Sequence, residues 1–413
     1  MAPVGFRSPM KAPTAPSGRL MSLDALRGFD MFWILGADAL VHALSEVNGS
    51  ALARFLAGQL THKDWAGFAF YDLIFPLFIF ISGVSLTYSL SRQIAEHGRA
   101  VTARRVVTRG LILFLIGIFY SGGFTNPWPD MRLLGVLQRI ALAYTGAGLL
   151  FCFLRPRALA GAAAALLVGY WALLTFVPIR DIQLDKAALV QRTGVASPTA
   201  AQVQAAFDAT TARVTGGFEP GRNLTNHLDF QYLPGRRYDT NYDPEGFLST
   251  LPAVATCLLG VFAGLLLRRA DLDDARKLRL LATAGVVALA AGWLWHLQFP
   301  VVKKLWTSSF VLVAGGWSAL LLASFYYVVD VRGWRRWCVP FIWIGMNPIT
   351  LYVASNVIRF RTLAQRFAGG DIKAWLDANV GAGAGQGMLA IVGLGLMFIL
   401  ARFLHERRIF LRV

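Results

Sequence analysis

Leu60-Thr-His62-Lys-Asp64-Trp65-Ala-Gly-Phe68-Ala-Phe-Tyr71-Asp72-Leu-Ile-Phe-Pro76-Leu-Phe-Ile-Phe-Ile-Ser-Gly-Val-Ser-Leu-Thr-Tyr-Ser-Leu90 is the stretch that decides the fold. Over 68–90 the only charge is Asp72. A helix of about 20 apolar residues, rising 1.5 Å per residue, covers the ~30 Å hydrocarbon layer of a bilayer. The run therefore reads as a membrane-spanning helix that opens on a carboxylate, with His62 just outside it. A titratable base at a membrane surface points to chemistry at that surface.

The rest of the chain extends this reading. Its 413 residues are 56% hydrophobic and only 15% charged, with a mean hydropathy of +0.52, and a soluble domain of this length carries more charge. Similar runs recur at 23–44, 106–121, 133–153, 159–177, 247–267, 280–297, 305–329, 339–358 and 388–404. The predicted fold is an all-α integral membrane bundle of about ten transmembrane helices with a loop subdomain on the outer side. Its parts are a basic segment over 1–22, five spans over 23–177 with the His62 loop at 46–67, the outer loop subdomain over 178–246, five more spans over 247–404, and a basic tail over 405–413. The first span is expected to anchor as well as target the chain.

Every second loop is basic. Arg7, Lys11 and Arg19 fall on the same side as Arg104 and Arg105, Arg155 and Arg157, Arg268 and Arg269, Arg335 and Arg336, and Arg407 and Arg408. The positive-inside rule puts that side, and both termini, in the cytoplasm. The net charge of +17 is then topological. No basic tract is interleaved with aromatics as a nucleic-acid groove requires, so no nucleic-acid partner is expected. Cys152, Cys257 and Cys338 lie in or beside apolar runs without paired spacing, and no His and carboxylate set has metal-ligand spacing. Neither a disulfide frame nor a metal site is expected.

Polar residues inside spans carry the functional information, because a charge at mid-membrane costs several kcal/mol unless paired or hydrated. The first span holds Asp24, Arg27, Asp30 and Asp38. On an uninterrupted helix, Asp24, Arg27 and Asp38 fall within about 60° of one another over roughly 21 Å. Asp24 and Arg27, at i and i+3, can equally be a local pair. Gln138-Arg139 lies deep in the fourth span and needs an anionic or carbonyl partner. Asn347-Pro348 in the ninth breaks the helix and frees carbonyls, as a kink or as a binding element.

Asp243-Pro244-Glu245 before the sixth span makes an ordinary helix start, yet the same carboxylates suit an ammonium or a sugar hydroxyl. His62 has Asp64, Asp72, Trp65 and Tyr71 close by in sequence, which can hold an imidazole in one tautomer. His42, His97, His296 and His405 lack such a setting, and His227, between Asn226 and Asp229, is the runner-up.

At these residues the chain resembles the transmembrane N-acetyltransferases typified by heparan-alpha-glucosaminide N-acetyltransferase. The matching strings are Ser22-Leu-Asp-Ala-Leu-Arg-Gly28, the His62 to Pro76 segment, Gly135-Val-Leu-Gln-Arg139, Tyr242-Asp-Pro-Glu-Gly246, Pro300-Val-Val-Lys-Lys-Leu-Trp306 and Gly345-Met-Asn347, in the family's order. The resemblance implies transfer of the acetyl group of cytoplasmic acetyl-CoA to the amine of a glucosamine-type sugar on the periplasmic side, in a bacterial inner membrane, with His62 in the catalytic role. Asp38 stands where the lysosomal relatives have Asn, and Ser355-Asn356 where a His-Glu pair is expected, which leaves the acceptor sugar open.

The chemistry agrees with that implication. An ammonium cannot attack a thioester until it loses a proton, and a neutral imidazole at the outer mouth can take it. His62 is the expected base, with Asp38 or Asp72 orienting it. Arg27, Arg105 and Arg109 are expected under the nucleotide phosphates, and Gln138, Arg139 and Asn347 along the pantetheine arm. Asp243, Glu245 and Trp65 are expected to meet the acceptor. Direct attack and an acetyl-imidazole intermediate on His62 both fit. The competing class is a transporter of N-acetylglucosamine or a related amino sugar, although the halves show no inverted repeat. Membrane lipid is the expected surrounding, and a homodimer is compatible with the pattern.

Overall fold

The computed structural model describes residues 20–410. The basic residues Arg7, Lys11 and Arg19, and residues 411–413 of the basic tail, lie outside the described residues. The chain is helical throughout its core: α1 Met21–Phe32, α2 Asp38–Asn48, α3 Ala51–Gln59, α4 Phe70–His97, α5 Arg99–Tyr120, α6 Val136–Phe153 and α7 Pro156–Phe176 precede a long excursion. That excursion carries α8 Lys186–Thr193, α9 Ala200–Ala209 and α10 Leu224–Tyr232. After it come α11 Thr250–Leu267, α12 Asp274–Trp295, α13 Ser308–Phe325, α14 Val339–Gly345, α15 Pro348–Ile358, α16 Phe360–Ala368, α17 Gly370–Asn379 and α18 Ala384–Glu406.

Seven helices among the described residues are long and apolar enough to cross a bilayer: α4, α6, α7, α11, α12, α13 with its π-helical extension to Val331, and α18. An eighth span is made if α14 and α15, bent by 80° at Asn347, count as one. Of the two remaining expected spans, one is too charged for that description and the other, broken after the 12 residues of α1, is too short as well as charged. Helix α5 carries Arg99, Arg104, Arg105 and Arg109 in its first half, and α1 carries Asp24, Arg27 and Asp30. Apolar side chains clothe the outside of the bundle, among them Leu111, Phe119, Val168, Val287, Leu294 and Ile399, as lipid contact requires.

The first expected span departs from a straight helix. A π-helical turn, Trp33–Ala37, separates α1 from α2, and Gly36 within it has φ 110°. A side chain at that φ is strained, so glycine licenses the break. The extra residue in the turn rotates α2 relative to α1. Asp38 therefore leaves the stripe it would share with Asp24 and Arg27 on an unbroken helix.

Helices pack closely where glycines face neighbouring backbones. A Cβ on Gly83 would stand 2.0 Å from the Cys257 carbonyl oxygen, and one on Gly260 would stand 1.9 Å from that of Phe80. These two positions seat α4 against α11, the small-residue contact typical of membrane bundles. Cys152, Cys257 and Cys338 are buried free thiols.

Three connecting segments differ from expectation. The His62 loop at 46–67 contains α3, whose N-cap Ser50 accepts from the Ala53 N–H at 3.2 Å. Residues 359–387, read as a long loop, form α16 and α17 against α18. The first part of 178–246, expected as a loop subdomain, carries two short helices, α8 and α9. Its later part contains α10, capped by Asn223, which accepts from the Asn226 N–H at 2.9 Å. Ile182, Leu184, Leu189, Val203, Phe207, Phe230 and Tyr242 form a small core there. A second cluster, with Tyr170, Leu224, Phe299, Val302 and Leu305, docks this segment onto α7 and the α12–α13 connection.

Candidate active site

His62 sits on the loop after α3, and two chain segments fix its position. The Gly67 N–H donates to the Val301 carbonyl at 2.9 Å, and Ala66 pairs with Val302 in an antiparallel bridge. Gly67 has φ 118°, which lets the loop turn back to α4. The bridge brings Lys303 beside His62, although 241 residues separate them.

Asp72 holds the imidazole. As the third residue of α4, its Oδ2 accepts from the Ala69 N–H at 3.0 Å, closing the helix start, and from the Lys63 N–H at 3.3 Å. Its Oδ1 lies 2.9 Å from His62 Nδ1. The carboxylate is 1% exposed and the imidazole 51%. A buried acceptor-only carboxylate on Nδ1 fixes the proton there, which leaves Nε2 as the basic nitrogen. Tyr71 packs on the ring with centroids 4.6 Å apart. Lys303 Nζ stands 3.0 Å from Nδ1, 3.2 Å from Nε2 and 3.6 Å from Asp72 Oδ1.

These groups open on a cavity of 430 Å³. Its rim is polar, with His62, Lys63, Arg132, Tyr238, Glu245, Lys303 and Lys304, and its depth is apolar, with Met31, Phe78, Ile140, Trp306 and Ile349. Opposite His62, Arg132 donates to both oxygens of Asp243, at 2.8 and 3.0 Å, and to Glu245 at 2.7 Å. The guanidinium also lies over the Tyr238 ring at 5.1 Å. Burial works against the charge on Arg132, but Asp243 and Glu245 overcome it and hold its pKa above the ordinary arginine value. Behind this clamp, Asp229 accepts from the Phe247 N–H at 3.0 Å. Burial pushes its carboxyl up to about 7. A Cβ on Gly246 would come within 1.9 Å of Asp229 Oδ2, so only glycine fits there.

Of the residues expected at the site, His62 and Glu245 line this cavity, while Asp72 and Asp243 stand directly behind residues that do. Asp38 does not touch His62. It lies against Tyr71 and lines a second cavity of 380 Å³ with His42, Glu46, Arg361 and Gln386. The break at Gly36 separates it from the α1 stripe, and the carboxylate that bonds the imidazole is Asp72. Trp65 is a strut rather than an acceptor contact, its Nε1 donating to the Phe218 carbonyl at 2.8 Å.

Arg139 is likewise not on the cavity. It is 1% exposed, donates to Ser249 Oγ and to the Gly246 carbonyl at 3.3 Å, and lies 5.0 Å over the Trp306 ring, whose other side faces the cavity. Gln138 is buried against the α5 glycine Gly117, and Asn347 donates to the Ile409 carbonyl at 3.0 Å. Gln138 is off the cavity because the α6 face that lines it carries Val136, Leu137 and Ile140, and Asn347 is off it while the next residues, Pro348 and Ile349, line it.

Arg27 pairs with Asp24 at 3.3 Å and donates to Ser85 Oγ at 2.6 Å and the Gly345 carbonyl at 3.2 Å. Arg105 approaches His97 at 3.4 Å, and Arg109 lies over the Tyr144 ring at 4.9 Å. None of these three arginines reaches the cavity. The runner-up His227 is buried and bonds the Ile182 carbonyl at 3.1 Å. Sequence reading gave no role to Lys303 or Arg132, whose partners lie more than a hundred residues away, or to Tyr238 and Tyr352. No cluster of His, Cys, Asp or Glu that could hold a metal occurs among the described residues.

The chain is 28% identical over 381 residues to the mouse heparan-alpha-glucosaminide N-acetyltransferase (Mus musculus), covering 85% of this chain and 56% of the mouse protein. It is 28% identical over 337 residues to the human protein of the same name (Homo sapiens), covering 72% of this chain and 48% of the human one. The chain thus spans about half the length of the curated relatives it matches. Residues 19–192, which hold His62, Asp72 and Arg132, match the family model for the catalytic part of heparan-alpha-glucosaminide N-acetyltransferase. Through that segment the chain is similar to the catalytic part of the heparan-alpha-glucosaminide N-acetyltransferases.

Proposed function

We propose that this protein is a transmembrane acetyltransferase. It moves the acetyl group of acetyl-CoA, supplied from the cytoplasmic face, to the amine of a glucosamine-type sugar at the opposite, periplasmic face. The observation that carries this reading is the His62–Asp72 pair on the rim of a cavity whose depth is apolar. A carboxylate on Nδ1 leaves Nε2 ready to take a proton and stabilises the imidazolium that results, the two requirements of a general base. The relatives' name supports the same reaction class.

In this account the sugar ammonium gives its proton to His62 Nε2, and the freed amine attacks the thioester carbonyl carbon. The C–S bond breaks, His62 returns its proton to the departing thiolate, and the freed imidazole takes the remaining adduct N–H proton and releases it to solvent, so the products are the amide, CoA thiol and one proton. Met31, Phe78, Ile140 and Ile349 give the end of the pantetheine arm an apolar wall. The CoA phosphates rest on arginines at the Arg-rich end of the bundle, with Arg27, Arg105 and Arg109 the candidates. Arg132 holds the Glu245 carboxylate on the rim across from His62, where it can accept from an acceptor hydroxyl or ammonium.

The test is release of free thiol from acetyl-CoA by the purified protein in detergent, across a panel of amino sugars. Release that depends on a glucosamine-type acceptor is expected. A protein that releases none, yet accumulates sugar in sealed vesicles, is a carrier and reverses the assignment.

A further inference from the structure

We propose that Lys303 is itself an acetyl acceptor: without a sugar in the site, its side-chain amine takes the acetyl group from acetyl-CoA and becomes an N-acetyl-lysine that closes the site. This rests on the acetyl-transfer reading above and concerns what the same base does when the acceptor is missing.

The geometry is that of an acceptor already in place. An amine is activated when its proton lies within hydrogen-bond reach of the base. Lys303 Nζ is a primary amine over the His62 ring, 3.0 Å from Nδ1 and 3.2 Å from Nε2, so a rotation of its flexible side chain brings it to the Nε2 lone pair, and both residues line the 430 Å³ cavity. The other two lysines on that rim are placed differently. Lys304 is held by Asp239 at 2.9 Å, and Lys63 makes no contact with the imidazole among the described hydrogen bonds. The carboxylate nearest Lys303 is Asp72 at 3.6 Å, whose oxygens are already engaged by His62, Lys63 and Ala69. Burial pushes the Lys303 amine below the usual lysine pKa, although Asp72 and Glu245 oppose the shift. A larger share of the amine is therefore in the nucleophilic form.

The step balances with acetyl-CoA alone. The Nζ lone pair attacks the thioester carbonyl, an N–C bond forms and the C–S bond breaks. The Nζ proton passes to His62 and on to the CoA thiolate, so the products are a lysine amide and CoA thiol. The amide is uncharged, bulkier and not reversed by the thiol. Activity should therefore decay during incubation with acetyl-CoA alone, and a sugar acceptor should protect it. The same event would leave an acetylated protein that could be taken for an acetyl-imidazole on His62. The two differ chemically, because hydroxylamine cleaves an acyl-imidazole and leaves an amide intact.

The experiment uses the full-length protein in detergent, incubated with acetyl-CoA alone, treated with hydroxylamine, and digested for peptide mass spectrometry. Expected is one acetyl unit on Lys303, at about tenfold or more the occupancy of Lys304 or Lys63. It should be slowed by added glucosamine and lowered about 100-fold in His62→Ala. A protein that releases thiol with glucosamine but leaves Lys303 unmodified overturns the inference and spares the proposed function. Equal acetylation of all three lysines, indifferent to glucosamine, also overturns it as surface chemistry. A protein inert toward both glucosamine and Lys303 overturns the acetyl-transfer reading itself.

Discussion

His62 and Arg139 are both polar groups set against apolar chain, and the structure gives them opposite surroundings. His62 is half exposed on a cavity rim, with one nitrogen committed to Asp72 and the other facing the cavity with Lys303 3.2 Å away. Arg139 is sealed behind that cavity, its Nη2 on a carbonyl and a hydroxyl and its plane over Trp306, with Nε and Nη1 buried and making no hydrogen bond among the described residues. A charged residue in a membrane bundle can thus be the reacting group or the support of the wall beside it. Depth in the sequence does not separate the two. What separates them is whether a hydrogen-bonding position faces open space.

The comparison makes predictions that differ in kind. His62→Ala should lower kcat for acetyl transfer by about 10²- to 10⁴-fold while shifting the melting temperature little, since the side chain is half exposed. An equal loss of stability would make the two residues alike. Asp72→Asn keeps the volume but places an amide that must donate where Nδ1–H and two backbone N–H groups also donate. It should lower kcat by about 10- to 100-fold, less than loss of the base and more than it changes KM.

Arg139→Ala should act through the fold. The Gly246 carbonyl keeps the Ser249 and Thr250 hydroxyls, but a buried cavity opens and Trp306 loses the group packed on its ring, costing about 2–4 kcal/mol. The loss should appear in thermal unfolding, with activity tracking the folded fraction. A variant that unfolds normally but no longer binds acetyl-CoA would return Arg139 to the donor site.

The smallest effect is a pH slope from Asp229. Its carboxyl, raised by burial from the ordinary value of 3.8 to about 7, binds a proton more tightly folded than unfolded. That stabilisation is complete below the unfolded value and is lost as pH rises through about 7, at no more than about 1.4 kcal/mol per pH unit. Asp229→Asn should flatten the fall in melting temperature between pH 5 and 8. An unchanged slope would put the titrating group elsewhere.

Much of this was legible in the sequence, and the remainder was hidden for identifiable reasons. Hydropathy and helix length showed the membrane class and the span opening at Asp72. The ten-residue spacing from His62 to Asp72 is local, so their pairing could be anticipated. Lys303 and Arg132 could not be, because tertiary pairing brings them in: a backbone bridge from Ala66 to Val302 for one, a carboxylate clamp 111 residues away for the other. Gly36 reads as one more small residue in an apolar run, yet its φ of 110° redirects Asp38 to another cavity. Hydropathy averages over direction, so it flagged Gln138 and Arg139 without telling which side of α6 faces the cavity.

The measurement closest to the central claim is chemical rescue of His62→Ala. In single turnovers at saturating acetyl-CoA, with a glucosamine-type acceptor, added imidazole should restore part of the lost rate in that variant and leave the wild type unchanged. A His62→Ala protein that transfers acetyl at the wild-type rate without imidazole would contradict the account.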